Sequence, residues 1–219
     1  MDKEENQLIA QRKQKLNNLR KLGIDPYVST FEKKNSAAEI IESNKKLKND
    51  ERSKIKVSIA GRIMTLRMMG KAGFAHIQDY SGQVQVYVRE DEIGSEDYKI
   101  FSKSDLGDII GVEGNVFRTK KGEISIWVKK FRLLTKNLRP LPEKWHGLKD
   151  TEIRYRQRYV DLIVNPKVKE VFLKRNEIIN SMREFLVKNG FIEVETPILQ
   201  PIYGGTSARP FKSFLNNLE

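Results

Sequence analysis

Three strand-like runs, a short helix and two further strand-like runs follow one another over residues 55–134. That order predicts an OB-fold, a five-stranded Greek-key barrel. Two more observations support it. Apolar residues alternate with polar ones, as in strands with one buried face. The turn signals Tyr80-Ser-Gly82 and Lys120-Lys-Gly122 punctuate the runs. The helix before the fourth strand suits this fold, which uses it to plug one barrel end. An SH3-like barrel, the alternative, has no natural place for it. The class is α+β around an all-β barrel, with an N-terminal helix ahead of it and a further segment behind.

Residues 1–54 read as a basic helical extension. Leu8, Ile9, Leu16, Leu19 and Leu22 lie near helical spacing over residues 4–22, with Arg12, Lys13, Lys15, Arg20 and Lys21 between them. Gly23 and Asp25-Pro26 end that helix. Ser36 to Lys46 predicts a second one, with Ser36 as N-cap and Glu39 completing a capping box. Residues 47–54 are charged and read as exposed linker.

The barrel domain is expected over residues 55–136. Ile55, Val57, Ile59 and Ile63 alternate in strand one, where Gly61 marks a bend or bulge. Ala72 to Tyr80 is strand two. Gln83 to Arg89 is strand three, with Val84, Val86 and Val88 on one face. The helix falls near Ser95 to Lys103. Ile109 to Thr119 and Glu123 to Leu133 complete the set.

Residues 137–160 read as a linker or hinge. Pro140 and Pro142 stiffen it, and Trp145-His-Gly147 could pin it. Arg154, Arg156 and Arg158 alternate with Tyr155, Gln157 and Tyr159. They suit either a segment that tracks phosphates or a hinge held by Asp150, Glu152 and Asp161, with the structural role favoured. Residues 161–219 begin a second domain. Its helix runs from Val168 to Asn189, with a wide apolar face, and a strand begins at Ile192 and Val194, limited by Pro197. So few residues do not make an independent core, which leaves that face to be covered by further chain, by a second subunit, or by both.

The net charge of +12 favours a polyanionic partner. There is no cysteine, so disulfides and thiolate metal sites are excluded. No apolar run reaches a membrane span, and the first residues lack a signal-peptide core, so the expectation is a cytoplasmic protein with no membrane partner. His76 and His146 stand alone without a second ligand at zinc spacing, and read as surface or packing residues. No metal site is expected.

If Ala75 and Ile77 face the barrel core, Phe74, His76 and Gln78 face outward. An outward Phe74 beside outward Gln85 on the next strand suits a stacked nucleobase, with Gln85, Arg67 or Glu123 supplying hydrogen bonds. The competing possibility is a slipped alternation that makes Phe74 ordinary core.

Several segments together resemble the bacterial class II lysyl-tRNA synthetases. They are Ala60-Gly-Arg-Ile-Met-Thr65 with Met69-Gly-Lys-Ala72, Asp105-Leu-Gly-Asp108, Leu133-Leu-Thr-Lys136 with Leu138-Arg-Pro-Leu-Pro142, and His146-Gly-Leu148. Arg154 to Tyr159 with Asp161-Leu-Ile163, Phe191 to Leu199 and Gly204-Gly-Thr-Ser-Ala-Arg-Pro-Phe211 complete them. The resemblance covers essentially the whole chain, and its last two segments separate it from aspartyl and asparaginyl relatives.

The resemblance implies an anticodon-binding OB domain followed by the first helix and strand of a class II antiparallel catalytic domain, with motif 1. It implies a lysine–tRNA ligase that joins L-lysine to tRNA(Lys) using ATP and Mg²⁺, working as a homodimer. By position, Phe74 stacks on the central anticodon base while Gln85, Glu123 and Arg67 read its edge. Gly204 and Gly205 line the amino-acid pocket. Phe185, Glu195 and Pro197 belong to the dimer interface. Motifs 2 and 3, whose arginines clamp ATP and whose carboxylates hold Mg²⁺, are not among these residues. No catalytic residue is therefore expected in the chain, and adenylation by it alone is not expected. After Phe211 the sequence Lys212-Ser-Phe-Leu-Asn-Asn-Leu-Glu219 departs from the family's histidine-rich stretch. The alternatives are a non-catalytic OB-fold tRNA- or RNA-binding module from a truncated or decayed copy, and a nonspecific single-strand binder.

Overall fold

The computed structural model describes residues 3–142, 148, 150–198 and 211. The chain divides into two compact units, Met1–Lys149 and Asp150–Glu219.

The first unit is the barrel with its flanking helices. Helices α1 (Lys3–Lys21) and α2 (Ala37–Ser43) precede strands β1 (Arg52–Met69), β2 (Ala72–Gln78) and β3 (Gln83–Arg89). Helices α3 (Glu90–Ile93) and α4 (Ser95–Ser102) separate these from β4 (Ile109–Arg118) and β5 (Ile124–Thr135). The strands close in the order β1-β2-β3-β5-β4. Neighbours are antiparallel except β3 and β5, which run parallel.

Strand β1 closes the ring because it serves two partners. Its first part pairs with β4 and its last part with β2, and Arg62 faces both Ile109 and Gln78. It is longer than the sequence suggested, starting at Arg52 inside the presumed linker. The β1–β2 register shifts between Ile63 and Thr65, so the irregularity is not at Gly61. Gly61 has a different purpose. A Cβ there would lie 3.0 Å from the Gln78 carbonyl oxygen and 3.1 Å from the Ile77 Cβ, so glycine lets β2 approach where β1 changes partner.

Alternation fills the interior. Ile59, Ile63, Ala75, Ile77, Val84, Val86, Val88, Ile110, Val112, Val116, Ile126 and Val128 are all buried in one cluster. Helix α4 adds Tyr98 and Phe101 to it, with the Phe101 ring edge-on to Phe131 at 5.7 Å. This is the plugging helix expected from the strand order. Helix α2 adds Ala37 and Ile40, and Ser36 and Glu39 form the expected capping box. Asp79, just past β2, anchors α2. Its carboxylate accepts from Lys33 Nζ at 2.7 Å, from the Ala37 amide at 3.1 Å and from Ser81. Burial pushes this carboxyl up, but those hydrogen bonds outweigh it and bring its pKa down to about 2.

Helix α1 docks differently from expectation. Leu16 is buried, but Leu22 is exposed, and Arg12, one turn before Leu16, lies on the buried face. Its guanidinium donates to the carbonyls of Asn137 and Arg139, both at 3.3 Å. Beside it, Lys15 pairs with Asp105, and Lys136 pairs with Asp105 and Asp108. Lys136 and Asp108 are fully buried, and Asp108 also accepts from the amides of Asp105 and Asn137 at 2.8 Å each. Burial pushes the Asp105 carboxyl up, yet the bonds from Lys136 and Lys15 hold it below its usual range. The segments Asp105–Asp108 and Leu133–Lys136 thus meet in one ion network that fastens α1 and the end of β5 to the barrel.

The second unit contains α5 (Thr151–Arg156), α6 (Arg158–Val164) and α7 (Pro166–Lys188). Residues 151–160, read from the sequence as the end of a linker, are therefore helical. Asp150 N-caps α5 through the Ile153 amide at 2.9 Å. Asp161 is buried and gathers Arg154, Arg158 and Asn165, while Arg156 pairs with Glu152. Arg154, Arg156 and Arg158 thus pair with Glu152 and Asp161 as the structural alternative expects, while Asp150 caps α5 instead. No strand forms over residues 191–198. A strand needs a ladder partner, and none is present among the described residues. The apolar face of α7 is exposed: Ile178 at 61%, Met182 at 61% and Phe185 at 66%.

Candidate nucleic-acid interface

The outer face of β2, β3 and β5 carries two adjacent cross-strand rows. Side chains two apart on a strand share a face, so register places Phe74 beside His76 and Tyr87 beside Gln85. One row runs Arg67–Phe74–Tyr87–Trp127 across β1, β2, β3 and β5. The next runs Thr65–His76–Gln85–Ser125 across the same strands. The first row is aromatic and the second polar. Phe74 is half-buried and faces out, so the alternation does not slip and it is not core.

The aromatic row is continuous. Phe74 stacks on Tyr87 with ring centroids 4.5 Å apart and planes at 25°. Tyr87 meets the edge of Trp127 at 5.0 Å. Trp127 is mostly covered, with the Arg52 guanidinium 3.7 Å above its ring and Arg89 at 5.4 Å. Its Nε1 donates to Glu92 at 2.9 Å, and Lys129 also bonds Glu92, whose carboxyl is held below its usual range chiefly by Lys129. Phe74 is therefore the outer end of a supported platform.

The polar row is one connected chain. Thr65 Oγ1 lies 2.7 Å from His76 Nδ1, and His76 Nε2 lies 2.7 Å from Glu123 Oε1. Gln85 Nε2 donates to Glu123 Oε2 at 2.8 Å, and Ser125 Oγ donates to Gln85 Oε1 at 2.8 Å. Glu123 reaches this row from the β4–β5 turn. Thr119 holds the turn through the Glu123 amide at 3.0 Å, and Gly122 takes φ +88°, which suits glycine.

Phe74, Gln85 and Glu123, singled out from the sequence, thus come together on one face. Arg67 is register partner to Phe74 and exposed, and its guanidinium makes no hydrogen bond or ion pair with the described residues. Sequence reasoning missed Tyr87 and gave His76 no part. Both had a signal: each lies two residues from a residue already assigned to the face. The turn-borne Glu123 had no such periodic signal connecting it to His76.

The remaining site expectations fall elsewhere. Phe185, Glu195 and Pro197 are in the second unit, exposed on α7 and on the irregular stretch after it. Gly204 and Gly205 lie outside the described residues, as does His146. Among the described residues no group of three His, Asp or Glu side chains is placed to hold a metal ion. Nor is any helix among them long and apolar enough to cross a membrane.

Comparison with known proteins agrees with this geometry. Residues 57–134 match the OB-fold nucleic acid binding domain family. Residues 150–218 match the tRNA synthetases class II (D, K and N) family. A lysine–tRNA ligase of Carboxydothermus hydrogenoformans is 55% identical over 98% of this chain and 43% of its own length. That of Pelotomaculum thermopropionicum is 54% identical over 98% of this chain and 41% of its own. A Bacillus cereus counterpart is 52% identical over 98% and 43%. This chain therefore spans less than half the length of these relatives. It is a homologue of part of the lysine–tRNA ligases, with one segment that matches an OB-fold nucleic acid binding domain and another that matches the class II synthetases (D, K and N).

Proposed function

We propose that the barrel reads the anticodon of tRNA(Lys), as the tRNA-binding part of a lysine–tRNA ligase. One observation carries this. An outward, supported aromatic, Phe74, sits directly beside the connected donors and acceptors of His76, Gln85 and Glu123. Stacking on Phe74 is worth about 1–3 kcal/mol and is blind to sequence. The polar row supplies the selection. A uracil presents an N–H donor between two carbonyl acceptors, which suits a carboxylate beside an amide. Cytosine presents a lone pair where uracil has that N–H, and a carboxylate repels it. Arg67 adds a cation at the end of the stacking row, and the net charge of +12 steers RNA to the surface.

In this reading the whole ligase activates L-lysine with ATP and Mg²⁺ and transfers it to the tRNA. Gly204 and Gly205 line its amino-acid pocket with backbone groups. The exposed face of α7, with Phe185, Glu195 and Pro197, packs against a second copy. No described residue is assigned to Mg²⁺ or to the adenylation step. The 219 residues alone are expected to show no lysine-dependent exchange of pyrophosphate into ATP.

The test is a titration at fixed salt. A lysine anticodon stem-loop is compared with the same loop carrying cytosine at its central position. Tighter binding of the uridine loop supports the reading. Equal binding contradicts it and favours a nonspecific single-strand binder.

A further inference from the structure

We propose that His76 is a positioning residue for nucleobase selection, setting the Glu123 carboxylate where it accepts from a base N–H. This rests on the anticodon-reading role above and assigns a part to a residue outside the expected set.

The geometry is specific. Glu123 hangs from a turn and is half-exposed, so nothing in its own strand fixes its rotamer. A long carboxylate side chain left free loses conformational entropy each time it binds. Two bonds hold it here, Gln85 on Oε2 and His76 on Oε1. Gln85 is itself a candidate base reader, so its bond to Glu123 is available for exchange when a base arrives. The His76 bond is not, because the imidazole is held from behind. Thr65 Oγ1 accepts from the His76 backbone amide at 3.2 Å and sits 2.7 Å from Nδ1.

The proton assignment follows from valence. An ionised Glu123 has no proton to give, so the proton lies on His76 Nε2. In the neutral imidazole Nδ1 then carries only a lone pair, so the Thr65 hydroxyl, which accepts from the His76 backbone N–H, donates its proton to Nδ1. Thr65 therefore orients the ring, the ring orients the carboxylate, and the carboxylate meets the base. The ligand this arrangement selects is a nucleobase with a ring N–H donor on its pairing edge, as in uracil.

The experiment measures affinities of the 219-residue chain for the central-uridine and central-cytidine stem-loops, with His76→Ala and His76→Gln alongside. Glutamine places an amide N–H near the position of imidazole Nε2 and so retains the donor. His76→Ala is expected to reduce the uridine-over-cytidine ratio by about tenfold, the scale of one hydrogen bond to a charged group. Its affinity for the cytidine loop should hold. His76→Gln should stay closer to wild type than to the alanine variant. An unchanged ratio in His76→Ala overturns the proposal. So does an equal loss for both loops, which marks a loosened barrel, or a glutamine variant as impaired as alanine. If the wild-type chain shows no preference, the anticodon reading itself fails and takes this proposal with it, a result distinct from a preference that His76→Ala leaves intact.

Discussion

The two units treat their apolar residues in opposite ways. In the barrel, Ile59, Ile63, Ile77 and Ile126 are wholly buried, and even the charged pair Lys136 and Asp108 is closed off from solvent. In α7, Ile178, Met182 and Phe185 are each more than half exposed. Periodicity alone does not distinguish the cases, since both elements are amphipathic. The difference is what each element meets. Every barrel strand finds two hydrogen-bonding neighbours within the unit, so its apolar face closes on itself. Helix α7 meets α6, and its Arg183 pairs with Glu193 in the stretch that follows, but its apolar face finds no cover among the described residues. A pattern therefore tells which face seeks burial, and only the remaining elements tell whether it is satisfied.

The largest test of that contrast is Lys136→Ala. It removes the ammonium that pairs with the buried Asp108 and with Asp105. Breaking a buried pair in this way costs about 3–5 kcal/mol. Urea unfolding followed by barrel fluorescence should show it, and a loss below about 1 kcal/mol would mean that water already reaches the network.

Next comes Phe74→Ala, which should cost about 1 kcal/mol of stability through the lost stack on Tyr87 and weaken the anticodon loop by about 1–3 kcal/mol. Isothermal titration separates the two effects. Unaltered affinity would assign RNA binding to some other surface.

The Asp79 anchor gives a pH test. Its folded pKa of about 2 lies below the ordinary aspartate value of 3.8. A depressed carboxyl contributes stability that is full above its unfolded pKa and is lost as pH falls through the folded one. Acidification from about pH 4 to pH 2 should therefore cost roughly 1–2 kcal/mol through this group. Asp79→Asn should flatten the slope of melting temperature against pH in that window, and an unchanged slope would exclude the anchor.

The smallest effect is expected in the second unit. Phe185→Ala should change unimolecular stability by no more than about 0.5 kcal/mol, because the side chain is exposed. The same variant should weaken self-association in sedimentation if α7 packs against a second copy. A large loss in dilute monomer would show that the face is covered within the chain, and would erase the contrast.

Much of the barrel was legible in the sequence because strand alternation is a local signal. Strand β3 occupies the residues assigned to it, Gln83 to Arg89, and Ser36 and Glu39 form their capping box. What escaped notice depends on distant partners. Gly61 reads in the sequence as a bend or bulge, but the need for glycine there is set by Gln78 across the strand pair, and the register shift lies beyond Ile63. Arg12 was counted with the basic residues, but carbonyls more than 120 residues away bring it inside. The aromatic of the candidate site was legible as an outward Phe on an alternating strand. The link from Thr65 through His76 to Glu123 was not, because it joins a strand pair to a turn remote in sequence. The strand expected at Ile192 and Val194 lacks a ladder partner among the described residues, and pattern alone does not supply one.

The most direct measurement is photocrosslinking of a lysine anticodon stem-loop carrying 5-iodouridine at its central position. Adducts are mapped by digestion and mass spectrometry. The account predicts one dominant adduct in the peptide containing Phe74 or Tyr87, suppressed by Phe74→Ala. Adducts spread over the lysine-rich segments of α1, unaffected by that substitution, would contradict it.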